Sequence, residues 1–330
     1  MKNATLIEVA RRANVSPSTV SRAINNGCVS AKSRKKIEAA INELNYQPNA
    51  IARSLRGART YTVGFVIPDI SNPFFTEIIS EAGTLLKEKG YAMMIYSVLE
   101  DINLERMYIK NIQERRIDGL FVTSTSHQFA SAYEQLDEEI PIIQVDRLIS
   151  HQISSVRTDN YAASLQAVSH FFHQGRRNIG MIAGPQQYTP GRERYEGYVQ
   201  ALTEYHLAID SNCVDFGDFS RDSGYECMMR ILQKADSIDA LLVGNNFMGV
   251  GAVQALKRAG KKIPEDLAVI MFDDMNLADM TDPPFTVMEQ NLAEIGRTIA
   301  SLFLERIEGK QSTAHKEIII PARLIIRDSA

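Results

Sequence analysis

Over the first sixty residues, apolar positions recur at helical spacing in three short blocks. Leu6, Val9 and Ala10 share one face of a stretch from Leu6 to Ala13, and Val20 and Ile24 share one face of Pro17 to Asn25; both spacings are those of amphipathic helices. A third block, "KSRKKIEAAINEL", sets Ile37, Ala40, Ile41 and Leu44 on the inner side of a helix from Ala31 to Leu44. A three-residue turn separates the first two. Ser16 is placed to cap the second, and Pro17 fits its first position, where a backbone N–H would have no intrahelical partner. This pattern predicts a helix-turn-helix. Tyr46, Gln47 and Pro48 end the third helix, and Asn49 can cap a short fourth from Ala50 to Leu55.

Beyond Tyr61 the pattern changes to apolar runs bounded by turn residues: "YTVGFVIPD", "YAMMIYS", "GLFVTS", "IPIIQVD", "NIGMIAGP", "ALLVGNN" and "LAVIMFDD". Helical patterns lie between them, which predicts β-α-β units and parallel sheets. The runs are too many for one simple sheet. Two similar lobes are expected, the first beginning near Tyr61 and the second near Ala162, with a ligand crevice at the carboxyl ends of their strands.

A chain of 330 residues with moderate Gly and Pro and no biased tract is globular and suits two or three units. Charge sharpens the division. Up to Thr60 there are eleven Lys/Arg against three Asp/Glu, a balance of +8, so with −4 for the whole chain the remainder carries −12. A basic helical module on an acidic body points to nucleic acid as the partner of the module alone. The outward residues of the second helix, Ser18, Thr19, Ser21 and Arg22, suit that partner: hydroxyls reach phosphates, and a guanidinium can fork onto guanine.

Other chemistries find no support. Cys28, Cys213 and Cys227 are far apart without CxxC spacing, which argues against disulfides and zinc and for reduced thiols in the cytoplasm. The six histidines show no metal spacing, so neither metal nor cofactor is expected. No apolar run approaches the ~20 residues of a membrane span, and the start of the chain is too polar for a signal peptide. The absence of GxGxxG, GxxxxGK[ST] and GxSxG motifs and of a Cys/His couple leaves no catalytic residue to nominate, so no enzyme is expected. A transport binding protein would have no use for the head.

"TLIEVARRANVSPSTVSRAIN" followed by "LNYQPNAIARSLR" resembles the head and hinge of the lactose/galactose-repressor family of bacterial transcription regulators. The resemblance runs to Ala330 and is strongest to ribose-responsive members. It implies an all-α helix-turn-helix head at 1–48, a hinge helix and linker at 49–59, and an α/β body at 60–330 made of two doubly wound parallel-sheet lobes of the periplasmic-binding-protein type. Lobe one would hold about 60–161 plus 292–320, and lobe two about 162–291 plus 321–330. The residues implied to meet DNA are Thr5, Ser16, Pro17, Ser18, Thr19, Ser21, Arg22 and Asn25 in the head and Asn49, Ala52 and Leu55 in the hinge, with Leu55 wedged into the minor groove at a few kcal/mol of unstacking.

In the body, residues just after the strands carry the chemistry. Asn72, Asp146, Arg147, Arg192, Asn245, Asp273 and Gln290 offer hydroxyl partners, and Phe74, Phe75 and Phe219 offer ring contacts. Sugars need this mixture, since vicinal hydroxyls pair with planar polar groups while aromatic rings cover C–H faces. The set resembles, position by position, that of ribose-binding proteins with the same lobes. Two arginines balanced by Asp146 and Asp273 imply a neutral effector, D-ribose first, with a nucleoside, a purine, another sugar or a phosphosugar as alternatives. Asn246, Met271 and Asn291 depart from the usual family pattern beside this site. A homodimer is expected, since no leucine heptads follow the final strand, and it would sit on a pseudo-palindromic operator and be released by sugar.

Overall fold

The computed structural model describes residues 4–24, 27–44, 46, 59–114, 117–235, 237–274, 280–309 and 315–330. The chain forms two compact units, Met1–Thr60 and Tyr61–Ala330.

The first unit holds α1 (Leu6–Ala13), α2 (Pro17–Ile24) and α3 (Ala31–Glu43). A capping box starts α1: the Thr5 N–H donates to Glu8 Oε2 at 2.6 Å, and the Glu8 N–H donates back to Thr5 Oγ1, satisfying two donors that a helix start leaves orphaned. Asn14 ends it in left-handed backbone, φ 53°, a conformation that asparagine tolerates better than most residues. Ser16 then accepts from the Thr19 N–H at 3.2 Å and starts α2. Val9, Ala10, Val20, Ala23, Ile37 and Ala40 meet in a small core with Tyr46. Arg34 of α3 donates to the carbonyls of Ala23 and Gly27 and steadies the end of α2. The expected hinge helix, with Asn49, Ala52 and Leu55, lies outside the described residues, as does Asn25.

The second unit contains two six-stranded sheets. In chain order its elements are β1 (Thr62–Ile67), α4 (Pro73–Glu88), β2 (Ala92–Ser97), α5 (Ile102–Glu114), β3 (Gly119–Val122), α6 (Ala130–Glu139), β4 (Ile142–Val145) and β5 (Ser154–Thr158). Next come α7 (Asn160–His173), β6 (Ile179–Ala183), α8 (Thr189–Glu204), β7 (Val214–Phe216), α9 (Arg221–Lys234), β8 (Ala240–Val243), α10 (Asn246–Arg258), β9 (Ala268–Phe272) and β10 (Thr286–Glu289). The chain closes with α11 (Leu292–Ile307), β11 (Glu317–Ile320) and β12 (Arg323–Ile325).

The two sheets repeat one order, β2-β1-β3-β4-β5-β11 and β7-β6-β8-β9-β10-β12. Their inner strands β1, β3, β8 and β9 are buried and apolar on both sides because helices cover both faces. On the first sheet, α4 and α11 pack Phe74, Ile78, Ile299 and Phe303 onto one face, and α5 and α6 pack Ile109, Ile112 and Tyr133 onto the other. The second sheet is enclosed likewise by α9 and α10 on one face and α7 and α8 on the other.

The chain passes between sheets after β5, after β10 and again between β11 and β12. At the third passage β12 pairs antiparallel with β10, as an edge strand on the second of two doubly wound parallel-sheet lobes of the expected kind. Only Pro321 and Ala322 separate β11 from β12, too few for the helix that a parallel crossover needs. The chain leaves the first sheet at its carboxyl edge and enters the second from that same side, so β12 runs backwards.

Candidate functional site

In the head, α2 buries Val20 and Ala23 and leaves Pro17, Ser18 and Arg22 exposed, with Thr19 and Ser21 half-buried beside them. The Ser16 hydroxyl lies 2.8 Å from Ser18 Oγ and 2.7 Å from Thr19 Oγ1. Ser18 and Arg22, one turn apart, therefore share the outer face. Thr5 sits at the start of α1, where its hydroxyl also donates to Glu8 Oε2 at 3.0 Å.

In the body, a cavity of about 450 Å³ opens where the carboxyl ends of both sheets face each other. From the first sheet, Asn72 follows β1, Glu100 follows β2, and Asp146 and Arg147 follow β4; from the second, Phe219 follows β7, Asn245 follows β8, Asp273 follows β9 and Gln290 follows β10. Phe74 and Phe75, from the first turn of α4, meet edge to face at 4.9 Å and line one wall. Nine of the ten predicted ligand residues thus come together. Asn72 and Asn245 also cap helices, accepting from the backbone N–H groups of Phe74 and Met248.

The tenth, Arg192, does not join them. It lies exposed on α8, with Nε 3.9 Å from Glu196. Arg194 lines the cavity instead, at 3 % exposure. Two residues along a helix turn the side chain by roughly 200°, so only one of these arginines can face inward. The buried stripe of α8 includes Pro190, Gly191, Arg194, Gly197, Tyr198 and Ala201, a helical period that the sequence already displayed. Arg194 Nε donates to Asn160 Oδ1 at 2.7 Å, Nη1 donates to the Gly244 carbonyl, and the guanidinium lies 4.1 Å from the Phe272 ring centre. Its Nη2 donates to no described residue.

Electrostatics follow from burial. Removal from water pushes the Asp146 carboxyl up to about 6, against the pull of Arg194 and Arg147, since a low-dielectric site disfavours the charged form. Burial likewise raises Asp273, opposed by Arg194 and by a hydrogen bond that Gln290 Nε2 donates to it, and burial lowers Arg194. The Thr158 hydroxyl donates to Gln290 Oε1 and fixes which end of that amide meets Asp273. The Asp146 carboxylate accepts no hydrogen bond from the described residues and is open to a ligand. Glu100, Asp146, Phe219 and Asp273 all stand on left-handed backbone, φ 55°, 65°, 72° and 69°, at roughly 1–2 kcal/mol each. Such strain collects where a fold must aim a side chain.

Sequence reasoning missed Asp69, Glu100, Asp218, Arg221 and Phe247 in this lining. Each lies between a strand and the body of the next helix, as the chosen residues do, and Asp218 directly precedes the chosen Phe219. With them the wall carries five carboxylates, of Asp69, Glu100, Asp146, Asp218 and Asp273, and three guanidinium groups, of Arg147, Arg194 and Arg221. The expected formal neutrality gives way to a surplus of acid.

A helix-turn-helix unit joined to two doubly wound lobes around a polar, aromatic-walled cavity defines the class of transcription regulators that carry a DNA-binding head on a small-molecule-binding body. Residues 5–49 match the model of bacterial regulatory proteins of the lacI family, and residues 168–330 match that of a periplasmic binding protein-like domain. A ribose operon repressor of Halalkalibacterium halodurans is 34% identical over 98% of this chain and 96% of its own length. The lac repressor dimer bound to operator and an anti-inducer superposes with a TM-score of 0.89 at 27% identity, covering 99% of each chain. A lacI-family regulator of Enterococcus faecium with bound ribose superposes with a TM-score of 0.73 at 25% identity, over 81% of this chain and 98% of that one. The chain belongs to the lacI family of bacterial regulatory proteins, and it is a regulator rather than an enzyme. No helix among the described residues is long and apolar enough to cross a membrane.

Proposed function

We propose that the protein is a cytoplasmic repressor that binds a pseudo-palindromic operator as a homodimer and leaves it when a neutral sugar, D-ribose first, fills the cavity. The carrying observation is the lining itself: unbonded carboxylate and guanidinium positions and amides beside four phenylalanines, with carboxylates in excess. Hydroxyls of a pentose can donate to Asp146 and Asp273 and accept from Arg194 while the rings cover its C–H face. The ribose operon repressor and the ribose-bound regulator among the similar proteins support ribose. An excess of acid disfavours a phosphosugar.

In the head, Ser18 and Arg22 would meet base edges or phosphates, with Thr5, Ser16, Pro17, Thr19 and Ser21 supporting or contacting the backbone, and Asn25, Asn49, Ala52 and Leu55 completing the set. Two heads on one dimer would read half-sites about one helical turn apart or a multiple of it. Coupling is reciprocal: whatever factor sugar removes from operator affinity, operator removes from sugar affinity.

A second reading, a nucleoside effector, is favoured by size, because about 450 Å³ lies within the range of drug-sized pockets and exceeds what a pentose needs. The test is calorimetric titration with D-ribose, fructose, adenosine and hypoxanthine, then operator release followed by fluorescence anisotropy. Saturable ribose binding that weakens operator affinity supports the first reading; heat from adenosine alone replaces it with the second. Sedimentation showing mainly monomer at micromolar concentration would remove the dimer.

A further inference from the structure

Arg147 is a predicted ligand contact, yet its guanidinium is already occupied. Nη1 donates to Glu100 Oε2 at 3.0 Å and to the Ser124 carbonyl at 3.2 Å, and Nη2 donates to Glu100 Oε1 at 2.5 Å. This is the two-pronged geometry in which arginine grips a carboxylate or a phosphate. Arg147 is 5 % exposed, and its Nε is buried without a partner among the described residues. From the second lobe, Tyr188 closes over the pair. Its ring centre lies 3.7 Å from the Arg147 guanidinium carbon, and its hydroxyl donates to Glu100 Oε2 at 3.2 Å and to the Thr125 carbonyl at 3.0 Å. The fold commits backbone strain to this arrangement, since Leu99 and Glu100 are both left-handed, φ 51° and 55°.

We infer that Glu100 is a specificity-determining residue: its carboxylate occupies the anion-gripping fork of Arg147 inside the cavity wall, and so makes the site reject phosphorylated and carboxylated ligands. This rests on reading the cavity as the effector site, but not on which neutral molecule fills it. A ligand anion could engage Arg147 only by expelling Glu100, and would then face that carboxylate together with Asp146 and Asp273. A neutral hydroxyl meets no such conflict and can donate to Glu100 as it stands. Tyr188 supports the device by fixing one oxygen of Glu100 and covering the guanidinium from water.

The test compares wild type with Glu100→Gln and Glu100→Ala in the full-length protein. Calorimetry would use the matched pairs ribose and ribose 5-phosphate, and adenosine and AMP, with inorganic phosphate as a minimal anion. Far-UV circular dichroism would show that each variant is folded. Wild type should bind no anionic member, and Glu100→Gln should gain affinity for at least one anion by about tenfold or more, the lower end of what a charge-assisted hydrogen bond supplies. Tyr188→Phe, which keeps the ring over Arg147 and the Glu100 carboxylate but loses the hydroxyl that steadies it, should weaken the discrimination against anions less than Glu100→Gln does. The inference is overturned if wild type binds an anion as tightly as its neutral partner, or if both Glu100 variants, folded, gain no anion binding. Failure of ribose with retained adenosine binding would overturn the ribose reading alone and leave the adenosine and AMP pair to decide Glu100.

Discussion

Replacing Arg194 by Met keeps much of the side chain's length and apolar bulk while deleting its donors and charge. In the structure those donors serve Asn160 Oδ1 and the Gly244 carbonyl, both buried, and the charge sits near Asp146 and Asp273. A buried acceptor that loses its donor costs about 1–3 kcal/mol, so after partial relaxation the body should lose about 2–4 kcal/mol of stability. On the proposed reading Arg194 Nη2, which donates to no described residue, meets the effector, and losing a hydrogen bond to a charged donor should weaken effector binding about tenfold to a hundredfold. Arg192→Ala is the matched control: an exposed pair with Glu196 at 3.9 Å contributes about 0.3–0.5 kcal/mol and touches no part of the cavity. Urea unfolding followed by far-UV circular dichroism suits a chain without tryptophan, and calorimetry near neutral pH gives the affinities. Arg194 is not the effector's arginine if Arg192→Ala weakens effector binding as much as Arg194→Met does, or if Arg194→Met binds effector within twofold of wild type.

Effector affinity should depend on acidity through Asp146, whose carboxyl sits at about 6 among Arg194, Arg147, Asp273 and Glu193. A ligand hydroxyl donating to it favours the ionised form, so affinity is complete well above that value and falls as pH drops through it, by up to about tenfold per unit below; titrations that strengthen on acidification would refute this. Arg22→Ala should weaken a specific operator by ~1–3 kcal/mol and relax preference at one base pair, measured by anisotropy against operators varied one position at a time. Glu105 is fully buried and accepts from the hydroxyls of Ser124, Thr125 and Tyr133 and from the Thr125 N–H. Glu105→Ala should lower stability by about 2–4 kcal/mol in urea, since four donors lose one acceptor; a loss below about 1 kcal/mol would mean that water replaces the carboxylate at little cost.

The head was legible because its signals are local. Ser16 and Pro17 mark where α2 begins, and of the expected inward pair Val20 is buried and Ile24 packs partly buried against the core, while Ala23 completes the buried face. The long apolar strands were legible for the same reason, and the residues after them led to most of the cavity. Strand β5 escaped notice because "SSVRT" is polar by composition, although Ser154, Ser155 and Thr158 are all buried; its place is fixed by β4 on one side and β11 on the other, the latter 162 residues away. Arg192 was chosen over Arg194 because the motif was read without its helical phase. Glu100 carries no local mark, and its meaning arises only where the turn after β2 meets Arg147, 47 residues on.

The late return of β11 and β12 to the two sheets has a consequence for synthesis. Contacts of the head span a few dozen residues, so α1, α2 and α3 can pack as soon as they leave the ribosome. Neither large sheet gains its last strand until Glu317–Ile320 and Arg323–Ile325 have been translated. At typical elongation of ≈ 5–20 residues per second, a nascent head precedes a complete body by roughly 15–60 s. A head that packs in that interval does so on a chain still tied to its messenger. The order of manufacture thus makes the nucleic-acid reader before the sensor that governs it.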